Sequence, residues 1–370
     1  MVAYGAVNKA AFVNGGIMTT RHRRLGIPRG LACFYARLIL TACILCAVFV
    51  LFSRLEISIG LWEQKHAAVI ERPSKKIVLV PTRHNGPTQR LPGNLVNHTE
   101  TWKFTYSLKI LPTACQTSIR HCNYTERVII CVSTGSNQLE KRQGVRNTWG
   151  SWPGVRVLFF FGANKSFQRQ LVDEAAKYDD IVQYDFLDTY QNLTYKSISM
   201  LRFVSALKWP ELKFFIKSDD DTFVNMRLLP KVLSAIQKPG IFGAIQKNAR
   251  PNRTKKAKWY VPEKEFPHKV FPPYVSGCFY IIPITQAIQM SEHATDLHLF
   301  RFEDTYITGL LAEKLNISRY FVPKAGVDFA GSNITDSKIV YSLIAKHYVK
   351  PEKMVKIFSY IKNSKSKQIS

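Results

Sequence analysis

The sequence predicts an α/β domain with a mainly parallel sheet covered on both faces, preceded by one transmembrane helix and a stem. Three observations lead there. An uncharged apolar run lies near the N-terminus, a proline-punctuated stretch follows it, and from Arg127 onward short β-rich runs alternate with helical ones. Of the 370 residues, 46% are hydrophobic, which excludes wholesale disorder. Lys and Arg outnumber Asp and Glu by 52 to 26, and this formal charge of +26 first suggests a nucleic-acid partner.

The apolar run is Leu38–Phe52 (LILTACILCAVFVLF), extended upstream by Leu31–Ala36 and interrupted only by Arg37. Together these approach the ~20 residues that cross a bilayer, and Arg37 at one edge can snorkel to the headgroups. A cleaved signal peptide begins close to Met1 and ends in small residues, whereas this run starts late and closes on Phe49–Phe52. Lys9, Arg21, Arg23, Arg24 and Arg29 precede it, and the first acid is Glu56. Basic flanks stay cytoplasmic. The expected layout is a cytoplasmic tail over 1–30, a signal anchor over 31–53, a stem over 54–125 and a lumenal domain over 126–370.

Seven N-x-[ST] sequons begin at Asn97, Asn123, Asn164, Asn192, Asn252, Asn316 and Asn333, all beyond the anchor. Their joint placement supports a lumenal domain and removes most of the case for nucleic acid. Cys33, Cys43 and Cys46 fall in or beside the anchor, while Cys115, Cys122, Cys131 and Cys278 would face an oxidising compartment. Four cysteines permit three pairings, and Cys131, inside an apolar run, reads equally well as a buried thiol.

Pro73, Pro81, Pro87, Pro92 and Pro112 mark the stem, which lacks sustained periodicity. Strands are expected at Val128–Ser133, Val155–Phe161, Ile181–Tyr184 and Phe214–Ile216. Helices are expected around Gln138–Asn147, Phe167–Tyr178 and Thr194–Lys208. After Pro239 the pattern turns irregular, with a basic stretch Arg250–Lys258 ending at Trp259. Pro251 and Asn252 favour a solvated loop there, against the alternative of an acceptor-binding loop.

The strongest chemical signal is Ile216-Lys217-Ser218-Asp219-Asp220-Asp221, an apolar strand running into three carboxylates. Ligands bind at the carboxyl ends of strands in α/β sheets. Adjacent acids repel unless a cation or hydrogen-bond donors offset them, and Asp oxygens suit Mn²⁺ or Mg²⁺. The bland alternative is an acidic turn capping a helix that starts near Met226. Arg142 and Arg146 stand four apart on one helix face, and guanidinium forks suit phosphate.

With four segments in place, Arg142–Trp149 (RQGVRNTW), Asp185–Lys196 (DFLDTYQNLTYK), Lys217–Asn225 (KSDDDTFVN) and Glu303–Gly309 (EDTYITG), the chain closely resembles family 31 of the inverting glycosyltransferases. These are the β1,3-galactosyl- and N-acetylglucosaminyltransferases. Phe271–Gly277 and His347–Met354 (HYVKPEKM) are similar to two further family motifs, and the resemblance covers about residues 126–358. It implies a GT-A fold, a Rossmann-like nucleotide-binding half merged with an acceptor-binding half, on a single-pass type II Golgi membrane protein.

By the same resemblance Asp221 would ligate the metal, with His347 as a second ligand. Asp219 and Asp220 would hold the ribose and shape the metal site, and Arg142, Arg146 and Lys196 would line the nucleotide pocket. Asp304 matches the catalytic base, with Glu303 beside it as competitor. A helix over Thr305–Leu315 would place Asp304 at a positive N-terminus, favouring its ionised form.

Two departures stand out. Phe279 replaces a family glycine, which would make a pocket wall bulkier, and the Asn192 sequon lies inside a nucleotide-site motif, where a glycan is not expected. The expected activity is transfer of galactose from UDP-galactose, in β1,3 linkage, to a glycan acceptor on glycoprotein or glycolipid. UDP-N-acetylglucosamine is the alternative donor. Glycoside hydrolysis and non-catalytic binding of acidic glycans are the rival classes.

Overall fold

The computed structural model describes residues 80–81, 102–115, 118–122, 124–207, 209–322, 326–332, 339 and 341–366. The tail, the anchor over 31–53 with its cysteines, and the sequons at Asn97, Asn123 and Asn333 lie outside the described residues. Among the described residues no helix is long and apolar enough to cross a membrane. All of them belong to the unit Ile77–Ser370.

In chain order the strands are β1 (Val80–Pro81), β2 (Leu108–Ile110), β3 (Val128–Ser133), β4 (Arg156–Ala163), β5 (Ile181–Leu187), β6 (Phe214–Asp219), β7 (Phe223–Val224), β8 (Ile241–Gln246), β9 (Tyr274–Pro283), β10 (Arg319–Phe321), β11 (Gly326–Asp328) and β12 (Leu343–Lys346). The helices are α1 (Leu139–Arg146), α2 (Gln168–Tyr178), α3 (Leu193–Ala206), α4 (Leu229–Ser234) and α5 (Ile284–Glu292). A further helix, α6, is π-helical over Thr305–Leu311 and continues as α-helix over Ala312–Lys314, and α7 spans Pro351–Ser366.

Nine strands form one mixed sheet in the order β1-β10-β8-β9-β6-β3-β4-β5-β2, and a small second sheet runs β11-β12-β7. The β3 strand is buried along its whole length, and its side chains alternate between two cores. Ile129 and Cys131 join the apolar cluster that contains Ile198, Phe203 and Phe215. Val128, Ile130 and Val132 join the opposite cluster with Val145, Trp149 and Ile357. An uncharged, β-branched strand is what a sheet covered on both faces requires. Helix α1 comes so close to α7 that a Cβ at Gly144 would lie 2.9 Å from Pro351 Cβ.

The β3 strand is parallel to β4 on one side and to β6 on the other, so its carboxyl end faces the point where the winding reverses. Beyond β6 the parallel order breaks. The β9 strand inserts antiparallel between β6 and β8, where the irregular pattern after Pro239 gave no strand.

The folded domain also begins earlier than the expected boundary at residue 126. Residues 102–110, read as stem, lie against it: Trp102 donates to Leu297 O at 3.0 Å, Phe104 and Tyr106 pack on Tyr184 and Phe186, and β2 pairs with β5. This segment is bound by aromatic packing, which hydrophobic periodicity does not register. Cys115 and Cys122 form the disulfide, and Cys131 and Cys278 are buried thiols.

Candidate active site

The site gathers where β3 and β6 end side by side, with Ser133 and Asp219 in register. Asp220 N donates to Ser133 O at 3.2 Å, and Thr134 Oγ1 donates to Asp220 Oδ2 at 2.7 Å. Asp221 points toward His347, whose Nε2 stands 3.0 Å from Asp221 Oδ1 and 3.8 Å from Asp219 Oδ2.

His347 stands 126 positions after Asp221 in the chain (347 − 221), and it is the small sheet that brings the two together. There β12 pairs antiparallel with β7, directly after the acidic triplet, with Lys346 opposite Phe223. The turn is then pinned by His347 N to Asp328 O and Val349 N to Asp221 O, both 2.8 Å. Asp219, Asp221 and His347 can each turn one ligand atom to within 4.8 Å of the others, a set of two carboxylates and one imidazole. Hard oxygens with one imidazole fit Mn²⁺ or Mg²⁺. Asp219, expected to hold ribose, thus stands with the metal candidates.

Lys141 holds this ground electrostatically. Its Nζ lies 3.3 Å from Asp220 Oδ1 and 3.1 Å from Asp221 Oδ2. Burial works against the Lys141 ammonium, but the two carboxylates more than offset it and raise its pKa. Burial likewise opposes the Asp221 anion, yet His347 and Lys141 hold its carboxyl at about 2. Asp220 goes the other way, raised chiefly by burial.

A second carboxylate group lies across β6. Lys217, the buried lysine of the strand end, donates to Asp219 Oδ1 at 2.6 Å, to Glu303 Oε1 at 2.9 Å and to Gly277 O. Ser197 Oγ donates to Glu303 Oε2 at 2.9 Å, so both Glu303 oxygens are engaged inside the protein. Among the described residues Asp304 instead accepts only backbone N–H groups, Thr305 N at 2.8 Å and Gly277 N at 3.2 Å, and stays half-buried. A Cβ at Gly277 would collide with Glu303 Oε1 and reach Asp304 Cβ at 3.3 Å, so only glycine lets β9 pass this close.

The expectation that a helix start favours ionised Asp304 needs correction. Burial raises its carboxyl above the ordinary aspartate range, and the Thr305 and Gly277 N–H groups only partly counter this. Burial raises Glu303 as well, against the opposing pull of Lys217.

The nucleotide-pocket cations are placed differently from one another. Arg142 is 1% exposed, with Nε and Nη2 on Glu174 at 2.8 and 2.6 Å and Nη1 on Gly135 O at 2.8 Å. Arg146 forks onto Asp180 at 2.8 Å, reaches Glu174 at 2.7 Å and lies over the Phe159 and Tyr178 rings. Lys196 pairs with Asp188 at 2.7 Å and donates to Thr134 O at 2.6 Å, while Asp188 also accepts from Ser136 N and Oγ. Arg142 and Lys196 therefore hold the loop 134–136 by its carbonyls from behind. The Arg146 guanidinium lies further back.

Sequence reasoning assigned no role to Lys141, Glu174, Asp180 or Asp188. Their partners are remote in sequence, and no local spacing announces such pairs. Phe279 is fully buried in the core with Ile216 and Phe242, so the residue that replaces the family glycine packs the interior. Asn252 and Asn316 are exposed, Asn164 is half-buried, and the Asn192 amide donates to Leu187 O at 2.8 Å.

The galactosyltransferase family model matches residues 140–323. Human and mouse beta-1,3-galactosyltransferase 1 are each 31% identical over 254 residues, covering 64% of this chain and 74% of theirs. The chain belongs to the galactosyltransferase family. Membership agrees with the family 31 motifs read from the sequence. Human beta-1,3-galactosyltransferase 2 is 29% identical over 255 residues, and the chain spans 59% of its length.

Among solved structures, galactosyltransferase LgtC in complex with donor and acceptor sugar analogs overlays with a TM-score of 0.34 at 10% identity, covering 63% of this chain and 95% of that one. A 4-diphosphocytidyl-2C-methyl-D-erythritol synthase from Anaerococcus prevotii gives the same score at 13% identity, covering 59% and 96%.

Proposed function

We propose that the chain is an inverting, metal-dependent glycosyltransferase of GT-A type that moves galactose from UDP-galactose, in β1,3 linkage, to a glycan acceptor. The observation that carries this reading is the Asp219–Asp221–His347 set at the sheet's switch point, with Asp304 held across β6 from it. Asp221 and His347, joined by Asp219, would hold the Mn²⁺ or Mg²⁺. When bound, the ion offsets negative charge gathering on the departing diphosphate.

The chain's own groups do the rest. The loop 134–136, clamped by Arg142 and Lys196, gives the nucleotide a fixed wall. Asp304 accepts the proton of the acceptor hydroxyl as that oxygen attacks C1 of the sugar from the face opposite UDP. Its raised carboxyl suits a group that must take up a proton. Glu303 is fixed by Lys217 and Ser197, which favours Asp304 over its neighbour as base.

The membrane setting belongs to the same reading: a type II Golgi protein with its catalytic domain in the lumen, supported by the apolar run and the sequons beyond it. The deciding experiment uses the full chain in detergent with a panel of UDP-sugars, Mn²⁺ or EDTA, and linkage analysis of the product. Galactose transfer that stops in EDTA and returns with Mn²⁺ is expected. Turnover of UDP-N-acetylglucosamine alone would replace the donor, and transfer indifferent to EDTA would overturn the metal. Loss of electrophoretic mobility shift on N-glycan removal would sink the lumenal assignment.

A further inference from the structure

The basic stretch after β8 is not the plain solvated loop its composition favours. Arg253 turns inward and donates to Val261 O, Phe266 O and His268 O at 2.8, 2.7 and 3.0 Å. Asn252 bridges to Tyr260, and Arg301, just ahead of Glu303 and Asp304, binds Tyr260 O and pairs with Glu265 at 3.3 Å. A loop tied at both ends this way has a fixed outer surface. What it presents there is Trp259, 52% exposed.

Trp259 does not stand alone. Its indole Nε1 donates to Tyr190 Oη at 3.0 Å, joining the loop to the segment after β5, and Tyr190 is itself 43% exposed. Lys258 Nζ lies 5.1 Å from the Tyr190 ring centre and 5.4 Å from that of Trp259. Tyr190 follows two residues after Asp188, which accepts from Ser136 N and Oγ, and Arg301, which holds Tyr260 O next to Trp259, stands three residues ahead of Asp304, so the pair lies beside the reacting end of the site. Exposed aromatic faces next to a catalytic carboxylate are costly to leave in water and offer the apolar C–H face of a pyranose a surface to stack on.

Resting on the glycosyltransferase reading above, we infer that Tyr190, Trp259 and Lys258 form the acceptor platform, and that it selects an anionic glycan. The selection follows from where Lys258 rests. Its ammonium covers the ring faces, so a neutral sugar must displace that cation–π contact to stack. A sugar bearing a sulfate or carboxylate stacks and draws the same ammonium onto its anion. Arg250, Lys255 and Lys256 stand exposed on the same loop, and among the described residues none of them is ion-paired. They add attraction of the same sign.

The test measures binding of methyl β-galactoside and of its 6-O-sulfate to the full chain in detergent, by saturation-transfer NMR and calorimetry, with UDP and Mn²⁺ present. The sulfated glycoside is expected to bind at least about fivefold tighter at low salt and to lose that advantage at 0.5 M salt, where screening reaches ~4 Å. Trp259→Ala should weaken both glycosides about tenfold while UDP affinity stays at the wild-type value, and Trp259→Phe should restore most of the loss. Lys258→Gln should equalise the two glycosides. Equal binding of both by the unaltered chain overturns the anionic selection, and wild-type glycoside binding by Trp259→Ala overturns the platform. Failure of the unaltered chain to bind UDP would instead strike the underlying enzymatic reading.

Discussion

Around Arg142 and Arg146 charge is balanced inside the protein, and around Asp219 and Asp221 it is not. In the first region two guanidinium groups meet two carboxylates, Glu174 and Asp180, at 2.6–2.8 Å, and aromatic rings cover them. In the second, among the described residues, Asp219, Asp220, Asp221, Glu303 and Asp304 share only two lysines, Lys141 and Lys217. Both regions look like ligand sites as strings of residues. The difference is that one has its counter-charges built in and serves as scaffold, while the other keeps an anionic excess that a divalent cation would reduce.

The largest expected effect breaks the balanced side. Glu174→Ala leaves two buried arginines short of a partner, and urea unfolding should report a loss of about 3–5 kcal/mol, the usual cost of halving a buried pair. A loss below about 1 kcal/mol would mean the cluster is not the scaffold it resembles. On the unbalanced side, Asp221→Ala should reduce Mn²⁺-dependent UDP binding and transfer at least ~10²-fold, the top of the range seen when only an outer partner of a metal ligand is removed. Its melting point should fall modestly, because the change also removes the ion pairs with His347 and Lys141 that hold the Asp221 carboxyl low.

Asp304→Asn is the next step down. It should lower kcat by about 10²-fold with donor affinity retained, as loss of a general base does. If Asp304 only caps its helix, kcat stays near normal and stability falls by about 1 kcal/mol.

The smallest effect is a pH limb. Burial alone would raise the Glu174 carboxyl, but Arg142 and Arg146 hold it below the ordinary glutamate value. Its stabilisation is therefore complete above the unfolded pKa, about 4.3, and is lost as pH falls through the depressed folded value. Glu174→Gln should flatten that acid limb in urea titrations from pH 5 to 3, and an unchanged slope would assign the limb to other carboxylates.

The half of the molecule that binds at β3 and β6 was legible because its strands are short, apolar and regularly spaced between helices. Val128–Ser133 is a strand with the expected bounds, and Phe214–Ile216 extends only to Asp219. The Asp221–His347 pairing was legible through motif resemblance, not through spacing, since the β7–β12 contact that creates it is long-range. What stayed hidden depends on such contacts too. The apolar β9 follows a long irregular loop, residues 102–110 bind through rings, and Glu174, the carboxylate that Arg142 meets, stands 32 positions away in the chain.

The late insertion of β9 also bears on how the chain is made. During synthesis β6 emerges well before Tyr274–Pro283, so its outer edge stands bare, N–H and C=O groups unpaired, until the β9 strand arrives. Asp304 and His347 come later still, so the acidic triplet is among the first parts of the site to exist and its partners among the last. Nascent chains halted before residue 274 should therefore aggregate or bind chaperones, and chains halted beyond β9 should not. Equal solubility of the two would show that something else shelters that edge. The feature that lets two acids sit against one glycine thus makes the protein's biosynthesis, more than its finished state, the vulnerable stage.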